Sequence, residues 1–479
     1  MPLVLGVDSS TQSTKVEVRD ADTGTLVAHG RAPHPGTTPP RSEQDPHAWW
    51  GALARAVAAT GVDRVDAIAV AGQQHGLVVL DEAGNALRPA KLWNDTESAP
   101  EAERLVAELG ADAWAAACGS VPVAAFTVTK VAWLATHEPD VVARARHLLL
   151  PHDWLTHRLT GGFSTDRGDA SGTGYWSPID EVWRPDLLDR AAPRPDGWAA
   201  ALPEVLGPTA TAGTLQGPAA GVLGLRPDAL VAPGTGDNMA AALGIGLRPG
   251  EVAISIGTSG TAFAVHDHPT ADPTGAVAGF ADATGRYLPL VCTLNAALVL
   301  DAVGRLLGAD HDAFDALALA APPGAGGTVL VPYFAGERTP NRPDATGRLV
   351  GLRPEVDRPQ VARAAVEGVL CGLLDGLDAL VAAGVDLDAA GRLVVVGGGA
   401  RSAAVRQVLA DLTGRPVTVP EGDEHVAAGA CAQAAAVLHG SDPTEVAAAW
   451  GLGAGATVVP SPAATEADEV RAAYAAARG

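Results

Sequence analysis

Two aspartates lie where a carboxylate could act on a ligand, and the first of them is Asp8. It stands near the end of an apolar segment and is followed by hydroxyl-bearing residues that run to Lys15. A carboxylate in this setting can hold Mg²⁺ near phosphate groups, while the N–H groups and hydroxyls of the turn and the Lys15 ammonium contact the anion. The same pattern suits an aspartate that only caps a turn. The segment therefore predicts either a magnesium and phosphate site or a solvated turn.

The second aspartate, Asp237, lies between Gly236 and Asn238 at the start of an apolar helical segment. Either Asp237 or Asn238 could be the N-cap of that helix, which is the ordinary role of these residue types. A carboxylate beside glycine can also reach a substrate hydroxyl, and the positive end of a helix dipole would keep it ionised. Asp237 is therefore a candidate general base as well as a candidate cap.

Two further turns are rich in small residues, which let the backbone approach a phosphate closely. The first is Gly257-Thr258-Ser259-Gly260, between two apolar segments. The second, Gly397 to Arg401, follows an apolar segment and precedes a helix, a setting in which glycine-rich turns bind nucleotides. Neither turn has the GxGxxG or the Walker A spacing, and a tight turn can need glycine without any ligand. Both interpretations stay open.

A third group of polar residues suits the recognition of a polyol. Gln73, Gln74 and His75 lie between two glycines directly after an apolar segment, and together they offer both donors and acceptors. A histidine next to glycine is also a common structural feature. The segment Trp93-Asn94-Asp95 combines an aromatic face with an amide and a carboxylate, which suits sugars but occurs widely.

A weak internal repeat indicates how these residues are positioned. The apolar segment that leads through Asp8 is followed by a Ser/Thr turn and a second apolar segment at 15–18, and the same order recurs at 252–265. Each copy predicts a β-hairpin. Two hairpins, each opening one half of the chain, suggest duplicated domains whose turns face a shared cleft. Coincidence between two ordinary hairpins is the alternative.

Helical and strand patterns alternate along the rest of the chain, which predicts an α/β protein. Asp45-Pro46 predicts a helix N-terminus, and the segment from Gly234 to Pro249 predicts a hinge. The other predicted elements are strands at 66–72, 148–151 and 392–396, helices at 129–136, 361–385 and 402–412, and a helical tail from about Asp442.

Composition limits the class of protein. A chain of 479 residues exceeds what one hydrophobic core usually serves, which predicts two domains. The formal net charge of -22 argues against nucleic acid and anionic membranes as partners. The N-terminus has no basic region, the four cysteines are far apart, and charged residues interrupt the longest apolar helix. These features predict a cytoplasmic protein without a membrane span, and they leave a homodimer open.

Two longer motifs carry a resemblance to a known family. The segment 347–352, seven intervening residues, and the segment 360–367 match every fixed position of the second signature of the FGGY carbohydrate kinases. The first signature is matched from Thr127 to His137, but Ala125 departs at its opening position. The chain resembles this family from Leu3 to about Ala436.

The resemblance implies a duplicated actin-like ATPase fold, which is ribonuclease H-like, with two domains around a central cleft. It implies an N-terminal domain at 1–244 that binds the sugar and a C-terminal domain at 245–479 that binds the nucleotide. ATP would be the co-substrate, with Mg²⁺. Two alternatives stay open. The first is a member of the family that phosphorylates ribulose, gluconate or glycerol, and the second is an actin-fold sensor that binds nucleotide or sugar without catalysis.

Four segments resemble the members of the family that phosphorylate D-xylulose. They are Gln73–Gly76, Leu150–Trp154, Asp169–Trp176 and Gly336–Pro340. Those members often have Met where this chain has Gln74, and relatives often have Gly where this chain has Ser10. Neither departure removes a catalytic group, although Gln74 bears on the choice of sugar.

Carried over by position, the resemblance implies that Asp237 is the base facing the O5 hydroxyl of D-xylulose, with Asn238 beside it. Gln74 and His75 would bind the sugar, and Asp8 would organise Mg-ATP. The residues implied to hold ATP are Thr11, Gln12, Lys15, Gly257, Thr258, Ser259, Gly260, Gly398, Gly399, Ala400 and Arg401. The product would be D-xylulose 5-phosphate.

Overall fold

The computed structural model describes residues 1–388 and 391–479, which form two compact units. Two segments from the second half of the chain return to the first unit, so the units are not two uninterrupted halves, and the boundary at 244/245 stays a prediction. The first unit comprises 1–246, 267–288 and 424–452, and the second comprises 247–266, 289–423 and 453–479.

The α-helices of the described residues are α1 Pro46–Thr60, α2 Ala99–Leu109, α3 Ala111–Cys118, α4 Thr127–His137, α5 Pro139–Arg144, α6 Pro151–Thr160, α7 Arg167–Ser171, α8 Pro185–Ala191, α9 Gly217–Leu223, α10 Asp237–Gly244, α11 Ala297–Leu307, α12 His311–Ala320, α13 Arg358–Ala382, α14 Ala403–Thr413, α15 His425–His439, α16 Pro443–Ala449 and α17 Ala467–Arg478. Short 3₁₀ turns occupy Ala199–Ala201, Pro323–Gly327, Gly398–Arg401 and Pro462–Glu466.

The β-strands of the same residues are β1 Leu3–Ser9, β2 Ser13–Asp20, β3 Leu26–Pro33, β4 Glu43–Gln44, β5 Ala67–Gly72, β6 Val78–Leu80, β7 Ala90–Lys91, β8 His147–Leu149, β9 Ser164–Asp166, β10 Trp176–Ser177, β11 Val182–Trp183, β12 Glu204–Leu206, β13 Gly213–Thr214, β14 Leu230–Val231, β15 Thr235–Gly236, β16 Val252–Ile256, β17 Gly260–Ala264, β18 Ala278–Ala281, β19 Tyr287–Thr293, β20 Val329–Val331, β21 Arg348–Val350, β22 Leu393–Val396, β23 Val417–Pro420 and β24 Gly455–Val458.

The main sheets of the two units share one pairing pattern. In the first unit the order is β3-β2-β1-β5-β14-β13, and in the second it is β19-β17-β16-β22-β23-β24. Read in these orders, both sheets have two antiparallel pairs, then two parallel pairs, then one antiparallel pair. Each predicted hairpin is present, as β1–β2 and β16–β17. The repeat in the sequence is therefore a duplication of one supersecondary arrangement.

Alternation along β5 explains the layers of the first unit. Its larger side chains, Ile68 and Val70, pack into the core that α1 covers. Its alanines at 67, 69 and 71 face the other way, into the core formed with the alanine-rich α15. Because successive side chains of a strand point to opposite faces, one short apolar segment can serve two different helices.

Close backbone contacts explain why α15 is built from small residues. A Cβ on Gly6 of β1 would lie 2.1 Å from the Ala427 carbonyl oxygen. A Cβ on Gly429 would lie 1.9 Å from the Ala240 carbonyl oxygen of α10. The return of 424–452 to the first unit thus depends on a helix surface that lets strand and helix backbones approach.

Most of the predicted elements are confirmed. Asp45 caps α1 by accepting from the His47 N–H, and the predicted strands at 66–72 and 392–396 appear as β5 and β22. The predicted helical tail is confirmed in α16 and α17, but between them β24 adds antiparallel to β23 and satisfies the free edge of that strand. All four cysteines are free thiols.

None of the helices in the described parts of the chain combines the length and the apolar character that crossing a bilayer requires.

The contact between α10 and α15 gives a test of this packing. Gly429→Ala should destabilise the protein by about 1–3 kcal/mol, because the added methyl overlaps a helix backbone that has no room to shift. Thermal or urea unfolding measures the effect. Gly221→Ala in α9 is the matched control, since nothing lies within 4 Å of its added Cβ, and it should stabilise by about 0.5–1 kcal/mol. Equal unfolding midpoints for the two variants would contradict the packing argument.

Candidate active site

Three parallel strands of the first unit bring the predicted residues to one edge. β1 and β15 both pair with β5, so that Asp8 and Thr235 lie opposite Ala71, while Ser9 and Gly236 lie opposite Gly72. The chain leaves each strand at the same level. Ligands of open α/β sheets bind at such carboxyl ends. The register therefore collects the first aspartate, the Gln-Gln-His segment and the second aspartate at one edge of one sheet.

Asp8 is almost completely buried, at 1% exposure, and is held in an ion pair across the hairpin. Lys15 lies opposite it in the β1–β2 register, with its Nζ 3.4 Å from Asp8 Oδ2, and the Ser10 hydroxyl donates to Oδ1. Burial raises the pKa of the Asp8 carboxyl, although Lys15 and the Ser10 hydroxyl oppose that effect. The carboxylate therefore needs a nearby cation to stay ionised.

Lys15 serves a second carboxylate as well. Its Nζ lies 2.6 Å from Glu424 Oε2, in the segment that returns just before α15. Burial opposes the charge, but Asp8 and Glu424 outweigh it and raise the pKa of the Lys15 ammonium. Glu424 was not predicted from the sequence, because it is distant in the chain and no local pattern marks it.

Asp237 is the first residue of α10, and its side chain is half-buried. The N-cap is Gly236, so of the two interpretations that the sequence left open for this segment, the capping role of Asp237 or Asn238 is excluded. Burial, with Asp8 and then Asp169 as neighbouring charges, raises the pKa of Asp237 to about 8, while backbone N–H groups of the helix start act in the opposite direction. The ionised form of such a carboxyl, whose share grows as the pH rises toward 8, is a stronger base than an ordinary carboxylate.

Asn238 links Asp237 to the Gln-Gln-His segment. Its Nδ2 donates to Asp237 Oδ1 at 3.0 Å and to Gln74 Oε1 at 2.7 Å. Gln74 is 4% exposed, and a Cβ on Gly236 would lie 2.7 Å from its Cγ. A methionine at position 74 would have no acceptor of comparable strength for the Asn238 amide. The departure from the relatives noted above therefore creates a hydrogen bond to the residue beside the candidate base.

His75 is fixed from several directions. Its backbone has φ of 66°, which is uncommon for a residue with a side chain. Nδ1 lies 2.7 Å from the Gly172 carbonyl oxygen, and the ring stacks on Phe126 at a centroid distance of 5.0 Å. The Thr127 hydroxyl donates to the His75 carbonyl oxygen at 3.1 Å. A strained backbone held by this many contacts is typical of a ligand-binding residue.

The turn between β1 and β2 carries the remaining predicted residues of the first unit. Thr11 is half-buried, and its hydroxyl accepts from Trp93 Nε1 at 2.8 Å. Gln12 is exposed. The structure thus places Trp93 beside the predicted phosphate turn, where its indole edge supports Thr11.

The predicted turns of the second unit also lie at the ends of parallel strands. Gly257 to Gly260 joins β16 to β17, and the turn after β22 begins at Gly397, whose φ is 87°. A Cβ on Gly397 would lie 2.7 Å from the Ile256 carbonyl oxygen, so the two turns are neighbours.

The exposed members of these turns are available for a ligand. Thr258 and Gly398 are exposed, and nothing lies within 4 Å of a Cβ on Gly398. Ser259 and Gly399 are half-buried, and Ala400 is buried. The sequence predicts that the glycines after β22 lead directly into a helix. In the structure the 3₁₀ turn Gly398–Arg401 comes first, and α14 begins after its N-cap, Ser402. Arg401 is exposed and forms an ion pair with Asp423 at 3.0 Å.

An acidic cluster elsewhere in the first unit has the spacing of a metal site. It consists of Glu43, Asp95 and Glu97. The Lys91 ammonium already lies 3.4 Å from Glu43, 3.1 Å from Asp95 and 2.6 Å from Glu97. The Lys91 ammonium therefore occupies the position between the three carboxylates, so the cluster is a buried ion network rather than a metal centre.

Sequence patterns for known families match nearly all of this chain. The N-terminal domain of the FGGY family of carbohydrate kinases matches residues 3–244, and the C-terminal domain of the same family matches residues 252–438. The chain therefore belongs to the FGGY family of carbohydrate kinases, and its duplicated sheets are those of the actin-like ATPase fold of this family. The class inferred from the signatures is confirmed.

Individual relatives are similar over their whole length. The xylulose kinases of Streptomyces coelicolor and Streptomyces rubiginosus are each 50% identical over 457 residues, which is 95% of this chain and 92% of theirs. The crystal structure of xylulose kinase from Bifidobacterium adolescentis superposes with a TM-score of 0.89 at 42% identity, and covers 100% of this chain and 99% of that one.

The hydrogen bond between Gln74 and Asn238 gives a test of the site. Gln74→Met should lower kcat/KM for the acceptor sugar about threefold to tenfold, since a hydrogen bond of this kind contributes roughly 0.5–1.5 kcal/mol. KM for ATP should stay unchanged. Steady-state kinetics measure both, with Gln216→Met, an exposed amide, as the control. A change confined to the nucleotide would contradict the position assigned to Gln74.

Proposed function

We propose that the protein transfers the γ-phosphoryl group of ATP to the O5 hydroxyl of D-xylulose and releases D-xylulose 5-phosphate and ADP, as a xylulokinase. The observation that carries this proposal is the meeting of Asp237, Asn238, Gln74 and His75 at one strand edge, a half-buried carboxylate next to donors and acceptors. The relatives named xylulose kinase at 50% identity support the choice of sugar.

Asp237 is the proposed general base. The Asn238 amide holds Oδ1, which leaves Oδ2 to accept the proton of the sugar hydroxyl as the new O–P bond forms. Phosphoryl transfer depends mainly on positioning and on neutralising charge, so one base with oriented neighbours is sufficient protein chemistry. The pKa of about 8 for Asp237 matches the proton affinity that a base needs near neutral pH.

Gln74 and His75 are the proposed sugar-binding residues. Gln74 offers its amide next to Asn238, and His75 is fixed by the Gly172 carbonyl and by Phe126. Fixed donors and acceptors discriminate among sugars because a buried polar group left unpaired by the wrong substrate costs free energy.

Asp8 is the proposed ligand of Mg²⁺. A buried carboxylate with a hydroxyl neighbour offers the oxygen donors that a hard cation prefers, and one carboxylate with water and phosphate oxygens is a common magnesium environment. When bound, the cation would neutralise charge on the phosphates. Lys15 would supply a second positive charge beside them.

The nucleotide is proposed to contact three turns. These are Thr11 and Gln12 in the first unit, and Gly257–Gly260 and Gly398–Arg401 in the second. Their small or exposed residues leave backbone N–H groups within reach of an anion. This mode of binding suits a chain with a net charge of -22, which cannot rely on a long-range positive field. We also expect the enzyme to act in the cytoplasm, and a homodimer is compatible with this proposal.

A panel of acceptors tests the proposed substrate. D-xylulose, D-ribulose, D-gluconate and glycerol are each offered with Mg-ATP, and ADP release is followed. D-xylulose should give a kcat/KM at least about tenfold above the others, because hydroxyl recognition by fixed polar groups discriminates strongly. A clear preference for another acceptor would overturn the substrate and leave the class of enzyme unchanged. ATP binding without turnover of any acceptor would favour a sensor.

A further inference from the structure

Behind the proposed sugar site lies a buried histidine among three carboxylates. His152 on α6 has no exposed surface, and its Nδ1 lies 2.7 Å from Asp169 Oδ2. On the other side of the ring, Nε2 lies 3.2 Å from Asp153 Oδ1 and 3.8 Å from Asp166 Oδ1. Nδ1 is hydrogen-bonded to Asp169, whereas Nε2 has no hydrogen-bond partner among the described residues and is only within ion-pair distance of Asp153 and Asp166. The charge of the three neighbouring carboxylates favours a proton on each ring nitrogen, which makes the ring an imidazolium.

His152 packs directly against the backbone that leads into the site, through its Cβ on one side and through its ring on the other. A Cβ on Gly72, the last residue of β5, would lie 2.9 Å from His152 Cβ. A Cβ on Gly234, just before β15, would lie 2.7 Å from His152 Cδ2. The first of these segments continues into the Gln-Gln-His segment and the second into the candidate base. A displacement of the ring would therefore act directly on the segment before the candidate base.

Hydrogen bonds join the carboxylates to the same segments. Asp166 Oδ2 accepts from the Thr235 hydroxyl at 2.7 Å, two residues before Asp237. Asp166 also caps α7, which carries Asp169, by accepting from the backbone at 168 and 169. Beyond the end of α7, the Gly172 carbonyl oxygen contacts the His75 ring.

We propose that His152 is a positioning residue, which acts as a buried cation that holds the carboxylates of Asp166 and Asp169 and thereby fixes the segments before Asp237 and His75. The proposal rests on the proposed sugar kinase function. It gives a role to two segments, 150–154 and 169–176, that the sequence marked only by resemblance. Loss of the cation would leave three carboxylates together in the interior, where they repel one another and push these segments apart.

The charged state of the cluster has a defined pH range. Burial disfavours the imidazolium, but Asp153, Asp169 and Asp166 outweigh it and raise the pKa of His152 to about 9. Burial raises the pKa of Asp169 to about 7, against the opposing effect of His152. Tyr175, whose phenol is buried near Asp153 and Asp169, has a raised pKa and stays neutral. The cation is present below pH 9 and is lost as the pH rises through that value.

Two substitutions at His152 separate the charge from the shape. His152→Gln keeps a donor but removes the charge, and it should lower kcat/KM for the acceptor sugar about tenfold to a hundredfold, because misplaced reacting groups cost this much. KM for ATP should change less than about twofold, since the change removes no contact to the nucleotide. His152→Lys keeps a positive charge and should recover most of the lost activity.

The pH profile distinguishes positioning by charge from a general structural role. kcat/KM for the sugar should fall near pH 9 in the parent enzyme. His152→Lys should move this fall upward, toward the ordinary lysine pKa of about 10.4. Asp169→Asn should move it downward, because removal of the carboxylate lowers the pKa of His152. Thermal unfolding and ATP titration identify any variant that fails to fold. If His152→Lys fails to fold, the comparison of the pH profiles of the parent and Asp169→Asn decides whether the fall reports the His152 cation.

Two results would overturn the proposal. The first is a His152→Gln enzyme with parental kcat/KM for the sugar. The second is a fall at high pH that neither His152→Lys nor Asp169→Asn displaces. The assays use whichever acceptor the panel selects, so a wrong assignment of D-xylulose would leave both expectations intact.

Discussion

The parallel pairing of β1 and β15 with β5 is the constraint on which the candidate site depends. Because of this pairing, all three strands end at the same level of the sheet. Asp8 lies near the end of β1, Gln74 and His75 follow β5, and Asp237 follows β15. Side chains that are far apart in the sequence become neighbours because strand register is fixed by buried alternation. The same arrangement, repeated in the second unit, brings two glycine-rich turns together at the ends of β16 and β22.

This convergence has an electrostatic cost, because it collects carboxylates in the interior. Asp8, Asp169 and Asp237 all have raised pKa values, with burial as the largest cause for each. Lys15 offsets the charge at Asp8, and His152 offsets it at Asp169. Each of these two cations is shared by more than one carboxylate, which lets the acids coexist in the interior. Asp237 has no basic group among the principal causes of its pKa shift, as a proton acceptor requires.

Local patterns in the sequence were sufficient to predict the hairpins, the helix at Pro46 and the α/β class, since strand–turn–strand order and helix caps depend on neighbouring residues. The strand β24 within the predicted helical tail was missed, because it forms only where the edge of β23 is available. The choice between a cap and a base at Asp237 stayed open in the sequence, because it depends on the pairing of Gly236 with β5, which places the helix start at Asp237. Such pairings are non-local, and one sequence does not reveal them.

The same distinction between local patterns and non-local pairings applies to the candidate site. The residue types at 8, 74, 75, 237 and 238 indicated chemistry, but the bond from Asn238 to Gln74 depends on the β5–β15 register. Lys15 was predicted as a phosphate contact, while its pairing with Glu424 depends on the return of the chain before α15. The role of His152 was not recognised, because a buried cation is defined by carboxylates that three separate elements contribute.

The most direct test of the account is the Asp237→Asn enzyme, which keeps the shape of the side chain and cannot accept the proton. Because the substituted amide cannot accept the proton, kcat should fall about a hundredfold to ten-thousandfold, the range expected for loss of a general base, while ATP and the sugar bind nearly as they do to the parent. Asp63→Asn, at an exposed position, is the control. Turnover close to that of the parent would show that the carboxylate at the end of β15 is not the base, and the proposed mechanism would be wrong.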